Sequence, residues 1–389
     1  MAAILEGRFC LFVQFGSRSR VAAHHKTCHV FLDNDTSILI PLYETSFARM
    51  KSMQNPVFCW LWAWVTLLTA LPLHSQETQP GGKMGAEMWV WKLSGYGEEG
   101  YSRAVHEMLG RFEEKALVRL VPGSKKRAGL KVYTGSGSGI ATPKPLVDAV
   151  IAELFARGFT QSQLFILDQS ERNLRRAGYL PPLSQRRGDY HGIPVLALDS
   201  DNLTHPDWFY ESPLPSFPLG GEKTGDDRKS FLPYPLVAEV DFWINLPSVV
   251  DCPGIGTSGC VANASIWNVK NHQRFLADKS STPVAATEIA AIPELSQSCV
   301  LTLLSLEKFQ FIGGPNFHSL YTSFEPELCL STNMVLLDHY VTRKMNVERR
   351  NRRFEEIPLD GPLFQYGKTL GLGEFERDAT RVEYLNTVP

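Results

Sequence analysis

This chain of 389 residues lacks closely spaced cysteine pairs and an excess of positive charge, and it has only one long apolar run. Its seven cysteines form no Cys-x-x-Cys pair, so the framework of an iron–sulfur cluster or a zinc ribbon is missing. Lysine and arginine number 39 against 41 acidic residues, a formal net charge of −2, which leaves no electrostatic footprint for nucleic acid. We therefore expect no iron–sulfur cluster and no nucleic-acid partner, and the sequence identifies no other cofactor.

The single long apolar run covers residues 57–73 and follows a short basic start that contains Arg49 and Lys51. This layout is typical of a secretory signal, which we place at residues 53–75. We expect export to the periplasm or the extracellular space. The alternative is an uncleaved anchor in the inner membrane, in which residues 57–73 would be the only membrane contact.

Residues 1–52 show neither helical nor strand periodicity over any useful window. A start codon set too far upstream would explain such an extension, with Met50 or Met53 as the true first residue. A disordered segment is the alternative. Residues 76–87 are rich in glycine and polar side chains and are interpreted as a linker.

Residues 88–389 are predicted to form a single α/β domain with a mainly parallel sheet flanked by helices. Apolar segments and helical spacing alternate along the chain, and the unit at 130–168 has the crossover length that parallel strands need. The segment 204–235 lacks periodicity and is predicted to be a long irregular loop. Strands are predicted at 88–91, 130–133, 164–167, 195–198 and 300–304, and helices at 101–115, 143–157, 261–275 and 334–344.

Four cysteines, at positions 252, 260, 299 and 329, follow the apolar run. In an oxidising compartment they could form one or two disulfides, with Cys252 and Cys260 as the nearest pair in sequence. Four buried free thiols are the alternative, and spacing does not decide between them.

A glycine-rich loop, with Gly135, Gly137 and Gly139, separates a predicted strand from a predicted helix. Unpaired N–H groups and the helix dipole favour an anion at such a point. The G-x-G-x-G spacing differs from that of a dinucleotide site or a P-loop. The alternative is a plain turn that needs glycine for positive φ.

Polar residues after the apolar strands are the other candidates. Asp168 and Asp199 each follow a strand, where ligands bind in parallel sheets, although aspartate there also caps turns. After the long loop come Asn245, Asp251, Lys270 and Asn271. We expect Lys270 to stabilise negative charge, Asp251 or Asp168 to act as base, and Asn245 and Asn271 to bind the ligand. The weaker metal candidates are Asp199, His272 and Asp338, and an exposed polar helix end is the alternative for residues 268–272.

The order of these motifs resembles that of the domain of unknown function 362 family. The matching segments are 135–142, 165–179, 244–247, 269–272, 313–315, 330–338 and 371–373, which together span nearly all of the chain after the signal. The resemblance implies an exported member of a family without a generally assigned activity, here lacking the ferredoxin module.

Two departures from the family pattern bear on the site. The stretch Val250-Asp251-Cys252 keeps the acid of the family's triplet but lacks its lysine and histidine, and 333–338 keeps only the final acid, Asp338. The sequence therefore predicts a pocket at the strand ends for a small anionic molecule, with metal-assisted acid/base chemistry as an extension. The alternative is a non-catalytic envelope protein, binding or structural, whose site has decayed.

Overall fold

The computed structural model describes strands within residues 2–41 and then residues 86–184, 188–200, 202–212 and 228–386. The chain divides into two units, 1–79 and 80–389. The first contains an antiparallel pair and an antiparallel three-stranded sheet, built from β1 (Ala2–Leu5), β2 (Arg8–Leu11), β3 (Arg20–His24), β4 (Thr27–Leu32) and β5 (Thr36–Pro41). The predicted signal at 53–75 lies outside the described residues. None of the helices that are described is long and apolar enough to cross a bilayer.

A nine-stranded sheet forms the centre of the second unit. Its strands, in sequence order, are β6 (Ala86–Lys92), β7 (Ala128–Val132), β8 (Leu164–Asp168), β9 (Asp189–Tyr190), β10 (Ile193–Ala197), β13 (Phe242–Leu246), β16 (Cys299–Ser305), β19 (Glu327–Ser331) and β20 (Thr380–Tyr384). In space the order is β20-β6-β19-β16-β13-β7-β8-β10-β9. The run from β16 to β10 is parallel, whereas β19 and β9 are antiparallel to their neighbours. The predicted mainly parallel α/β fold is confirmed.

Helices cover both faces of this sheet. They are α1 (Glu98–Ala116), α2 (Lys144–Ala156), α3 (Glu171–Ala177), α4 (Cys260–Ala264), α5 (Gln273–Ala277), α6 (Thr282–Ala290), α7 (Pro293–Ser296), α8 (Met334–Asn351) and α9 (Pro362–Thr369). Successive strand residues point to opposite faces, so Ile166 belongs to the apolar core that contains α1 and α2, whereas Phe165 belongs to the core that contains α6, α8 and α9. Two apolar cores result, one on each side of the sheet.

The remaining strands form two smaller sheets. An antiparallel pair, β11 (Phe209–Glu211) and β12 (Lys229–Phe231), lies within the segment predicted to be a long irregular loop, and residues 213–227 between them are outside the described chain. A four-stranded sheet contains β14 (Val249–Cys252), β15 (Gly256–Ser258), β17 (Phe309–Gln310) and β18 (Thr322–Ser323).

The single helix predicted at 261–275 is wrong. The structure has α4, a 3₁₀ turn at Ile266–Asn268, and then α5. Short polar side chains interrupt the helix because they form hydrogen bonds with main-chain groups and so compete with the hydrogen bonds of a regular helix. Ser265 Oγ donates to Val261 O (2.6 Å), and Asn268 Nδ2 donates to Ala264 O (3.4 Å).

Candidate functional site

A buried ion pair joins two parallel neighbouring strands near their carboxyl ends. Lys131 lies on β7 and Asp168 is the last residue of β8, with 2.7 Å between Nζ and Oδ1. Lys131 Nζ also donates to Val132 O (2.7 Å) and to Asn263 Oδ1 (2.9 Å). An ammonium has three hydrogens, so these acceptors satisfy it completely. Burial nevertheless lowers the pKa of Lys131, against the opposing pull of Asp168.

The second oxygen of Asp168 fixes the start of the glycine loop. Asp168 Oδ2 accepts hydrogen bonds from the Thr134 N–H (2.7 Å) and from the Thr134 hydroxyl. The carboxylate is 1% exposed. Asp168 therefore lies where the sequence predicted, but its oxygens are engaged with Lys131 and Thr134, and water cannot reach it. That geometry suits an anchor for the loop better than a general base.

The glycine loop makes a tight turn against a neighbouring loop. Gly137 has φ +93°, the left-handed region that glycine favours, as the plain-turn alternative requires. A Cβ on Gly139 would clash with the ring of Phe317. Phe317 N–H donates to Ser136 O (3.2 Å), and Thr142 N–H donates to Tyr133 O (2.9 Å), which closes the loop at its base.

A cleft of about 210 Å³ opens between this loop and the first turn of α2. Its charged lining residues are Lys144, Lys308 and Glu307, and its hydroxyl groups come from Tyr96, Ser138, Thr142, Ser248 and Ser305. Lys308 Nζ donates to Gly139 O (2.9 Å), and Glu307 accepts from the Tyr101 hydroxyl (2.8 Å). The two ammonium groups outnumber the single carboxylate, so the lining carries a net positive charge.

Main-chain donors line the same cleft. Among the hydrogen bonds of the described residues, none uses the N–H of Ser138 or of Gly139. Both residues line the cleft beside the first turn of α2, where the helix N-terminus is positive. The N–H groups of Ser138 and Gly139 are therefore candidate donors to a ligand.

Asn245 and Asn271 lie in different surroundings. Asn245 is fully buried, donates from Nδ2 to Cys260 O (2.9 Å) and accepts from Asn263 Nδ2 (2.8 Å), so it belongs to the polar network around Lys131. Asn271 lies in a turn with φ +59°, and its Nδ2 donates to Lys229 O (3.3 Å) on β12.

Asp251 lies in the four-stranded sheet. Its Oδ1 accepts from Gly314 N–H (2.7 Å), and its Oδ2 is 4.0 Å from the Arg349 guanidinium. Burial raises the pKa of Asp251 in spite of these partners. Gly314 belongs to the same loop as Phe317, so Asp251 is connected to the glycine loop through the segment 314–317.

Lys270 lies beside the β11–β12 pair. Its main-chain N–H donates to Phe231 O (3.0 Å), and its side chain is partly exposed. The role expected for the Lys270 ammonium, to stabilise negative charge on a ligand, stays a prediction.

The three weaker metal candidates each have different hydrogen-bond or ring partners. Exposed Asp199 accepts from Glu171 N–H (2.9 Å) at the start of α3. Buried Asp338 accepts from Cys260 N–H (2.6 Å) and Val261 N–H (3.0 Å) at the start of α4. The His272 ring is 5.3 Å from Trp267, and burial lowers its pKa to about 4. Within the described ranges, no three histidine, cysteine, aspartate or glutamate residues are grouped so that they could hold a metal ion.

The four cysteines at positions 252, 260, 299 and 329 are free. Burial raises the pKa of the Cys252 thiol to about 12, which disfavours the nucleophilic thiolate. The structure thus has the free thiols that were the alternative to disulfides.

The sequence interpretation missed the residues that hold the site together. Lys131 is a lone charge in the apolar strand Gly129-Leu-Lys-Val-Tyr133, a pattern that demands a buried partner. Asn263 and Lys308 carried no comparable signal, because only the fold brings them to Lys131 and to Gly139. Comparison of the chain with protein-family models, curated proteins and solved structures gave no match.

Proposed function

We propose that this chain binds a small anionic ligand in the cleft beside the glycine loop. The observation that supports the proposal is that Lys144, Lys308 and the free N–H groups of Ser138 and Gly139 line one cleft. Ammonium groups and main-chain donors at a helix start are the groups that bind phosphate or carboxylate. The surrounding hydroxyl of Ser248 would donate a hydrogen bond to a further oxygen of the ligand.

Binding without catalysis is favoured over acid/base chemistry by one observation. Asp168, one of the two candidates for a base beside Asp251, is closed to solvent and already accepts hydrogen bonds from Lys131 and Thr134. A base must reach the proton that it abstracts. A non-catalytic envelope protein, the alternative interpretation of the sequence, would use the same cleft for binding.

Export remains part of the proposal, because the apolar run at 57–73 and its flanking residues have the pattern of a secretory signal. N-terminal sequencing of protein from its native cell should give a start near Gln76. A mature product that retains residues 57–73 would indicate a membrane anchor instead.

The ligand proposal is tested by thermal and chemical denaturation with phosphate, sulfate and small carboxylates. An anion that binds only the native state should stabilise it by about 1 to 3 kcal/mol at high excess. Lys144→Gln and Lys308→Met should each remove most of this stabilisation. Lys125→Gln, a matched loss of charge at an exposed position, should leave it unchanged. Equal stabilisation of all three variants, or none of the wild type, would contradict the proposal.

A further inference from the structure

The two edge strands of the nine-stranded sheet differ in length, and therefore in how many main-chain groups each leaves unpaired. One edge is β9, which has only two residues, Asp189–Tyr190. The other is β20, a five-residue strand in which Val382 is 36% and Tyr384 is 49% exposed. No segment within the described residues pairs with the outer side of β20. A long, uncovered edge of β-branched and aromatic residues is a template for another strand.

The main chain of β20 presents alternate residues to that open side. Leu385 N–H donates to Val90 O (3.0 Å) on β6. Because the hydrogen-bonding direction alternates along a strand, residues 381 and 383 also face β6, and the N–H and C=O groups of 380, 382 and 384 point outward.

The side chains of β20 are complementary to a second β20 in only one register. In an antiparallel pair centred on Val382, outward-facing residues meet outward-facing residues, and Arg381 of each copy lies opposite Glu383 of the other. A shift in which 380 meets 382 would place Arg381 opposite Arg381. The opposite shift would place Glu383 opposite Glu383. Like charges directly opposite each other are destabilising, so the charges select the centred register.

The two sheet faces agree with this arrangement. Glu383 lies toward α1, where its carboxylate is 3.1 Å from Arg111, so Arg381 of a second copy would join that charged row. Val382 and Tyr384 lie on the other face and line a groove of about 500 Å³. Its other lining residues are in part apolar, Tyr340, Val347 and Leu359, and in part polar or charged, Arg343, Lys344, Asn346, Arg350 and Glu356. Across a two-fold axis at Val382 the grooves of both copies would meet.

We propose that the free edge of β20 pairs antiparallel with the β20 strand of a second copy of this chain, centred on Val382, to join two nine-stranded sheets into one. The interface is isologous, as in most two-fold dimers. Its specificity comes from the two symmetry-related Arg381–Glu383 pairs.

Sedimentation velocity of the full chain over a range of concentrations tests the proposal. Wild type is expected to dimerise. Arg381→Glu should weaken dimerisation by roughly tenfold or more, because it creates two like-charge pairs. Arg377→Glu makes the same change of charge at an exposed residue outside β20 and should leave dimerisation unchanged.

A mixing experiment separates pairing from misfolding. Arg381→Glu and Glu383→Lys should each be monomeric alone, but an equimolar mixture should form a heterodimer, because each variant then faces the opposite charge. A wild type that stays monomeric up to its solubility limit would overturn the proposal. So would a dimer that Arg381→Glu leaves intact, or a mixture that stays monomeric.

Discussion

The Lys131 ammonium and the Asp168 carboxylate lie 2.7 Å apart across neighbouring strands, and their side chains are 0% and 1% exposed. Replacing Lys131 by methionine leaves a buried carboxylate without its counter-charge. We expect Lys131→Met to lower the free energy of unfolding by about 3 to 5 kcal/mol, measured by urea denaturation.

The double variant Lys131→Met, Asp168→Asn is the control for that loss. A neutral amide costs less to bury than an unpaired carboxylate, so the second change should restore part of the stability. If the double variant is no more stable than the single one, packing rather than charge accounts for the effect.

Gly137 is expected to be sensitive to substitution because of its backbone rather than its surroundings. Its φ is +93°, while a Cβ there would have no atom within 4 Å. Its ψ is 178°, which places it in the extended positive-φ region that is almost restricted to glycine, so Gly137→Ala should destabilise the protein by about 1 to 3 kcal/mol. Gly110→Ala, also in open space but within α1, should stabilise it by about 0.5 to 1 kcal/mol. A common sign for both changes in thermal denaturation would refute the argument from φ.

Asp338 is expected to make stability depend on pH. Burial raises its pKa from 3.8 to about 6, although two main-chain N–H groups oppose the rise. Between these values the folded protein holds the proton and the unfolded chain does not. The contribution of Asp338 to the free energy of unfolding therefore falls by roughly 3 kcal/mol as pH rises from about 4 to about 6. Asp338→Asn should abolish this contribution, whereas Asp360→Asn, on the surface, should not.

His272 is expected to change the stability of the protein with pH in the opposite direction. Burial lowers its pKa from 6.5 to about 4, so between these values the unfolded chain binds the proton and the folded protein does not. Its contribution to stability is present above about pH 6.5 and is lost toward pH 4, roughly 3 kcal/mol in all.

The two groups therefore offset each other near pH 5. His272→Gln should make the protein gain stability on acidification relative to wild type, and Asp338→Asn should make it lose stability. Urea denaturation at several pH values measures both slopes. Parallel profiles for wild type and the two variants would show that neither group titrates as expected.

The sequence predicted the parallel core well, because buried strands and their crossover helices leave a strong local pattern. The strands around Leu130 and Ile166 and the helix after Pro143 lie close to their predicted positions. The helix at 261–275 was predicted wrongly, since side chains such as Ser265 break it by local hydrogen bonds that apolar periodicity does not reveal.

The site was predictable only in part. The glycine loop and Asp168 were found because each lies at the end of a strand, a position that sequence indicates. The partner of Asp168 and the cations of the cleft come from long-range contacts: Lys308 is 169 residues from Gly139, and Asn263 is 132 residues from Lys131. The carboxylates of Asp199 and Asp338 accept hydrogen bonds from main-chain N–H groups at helix starts, which is a common structural role of aspartate.

The position of β6 governs how this protein can fold. This strand is the first of the sheet in sequence order, and it lies between β19 and β20. The Lys92 N–H donates a hydrogen bond to Asn386 Oδ1, 294 residues later. Closing so long a loop costs entropy before any contact offsets it, which slows folding. A chain emerging from the ribosome would carry β6 without either neighbour until synthesis is nearly complete. Completion of the sheet is thus a late event, which follows the synthesis of nearly the whole chain.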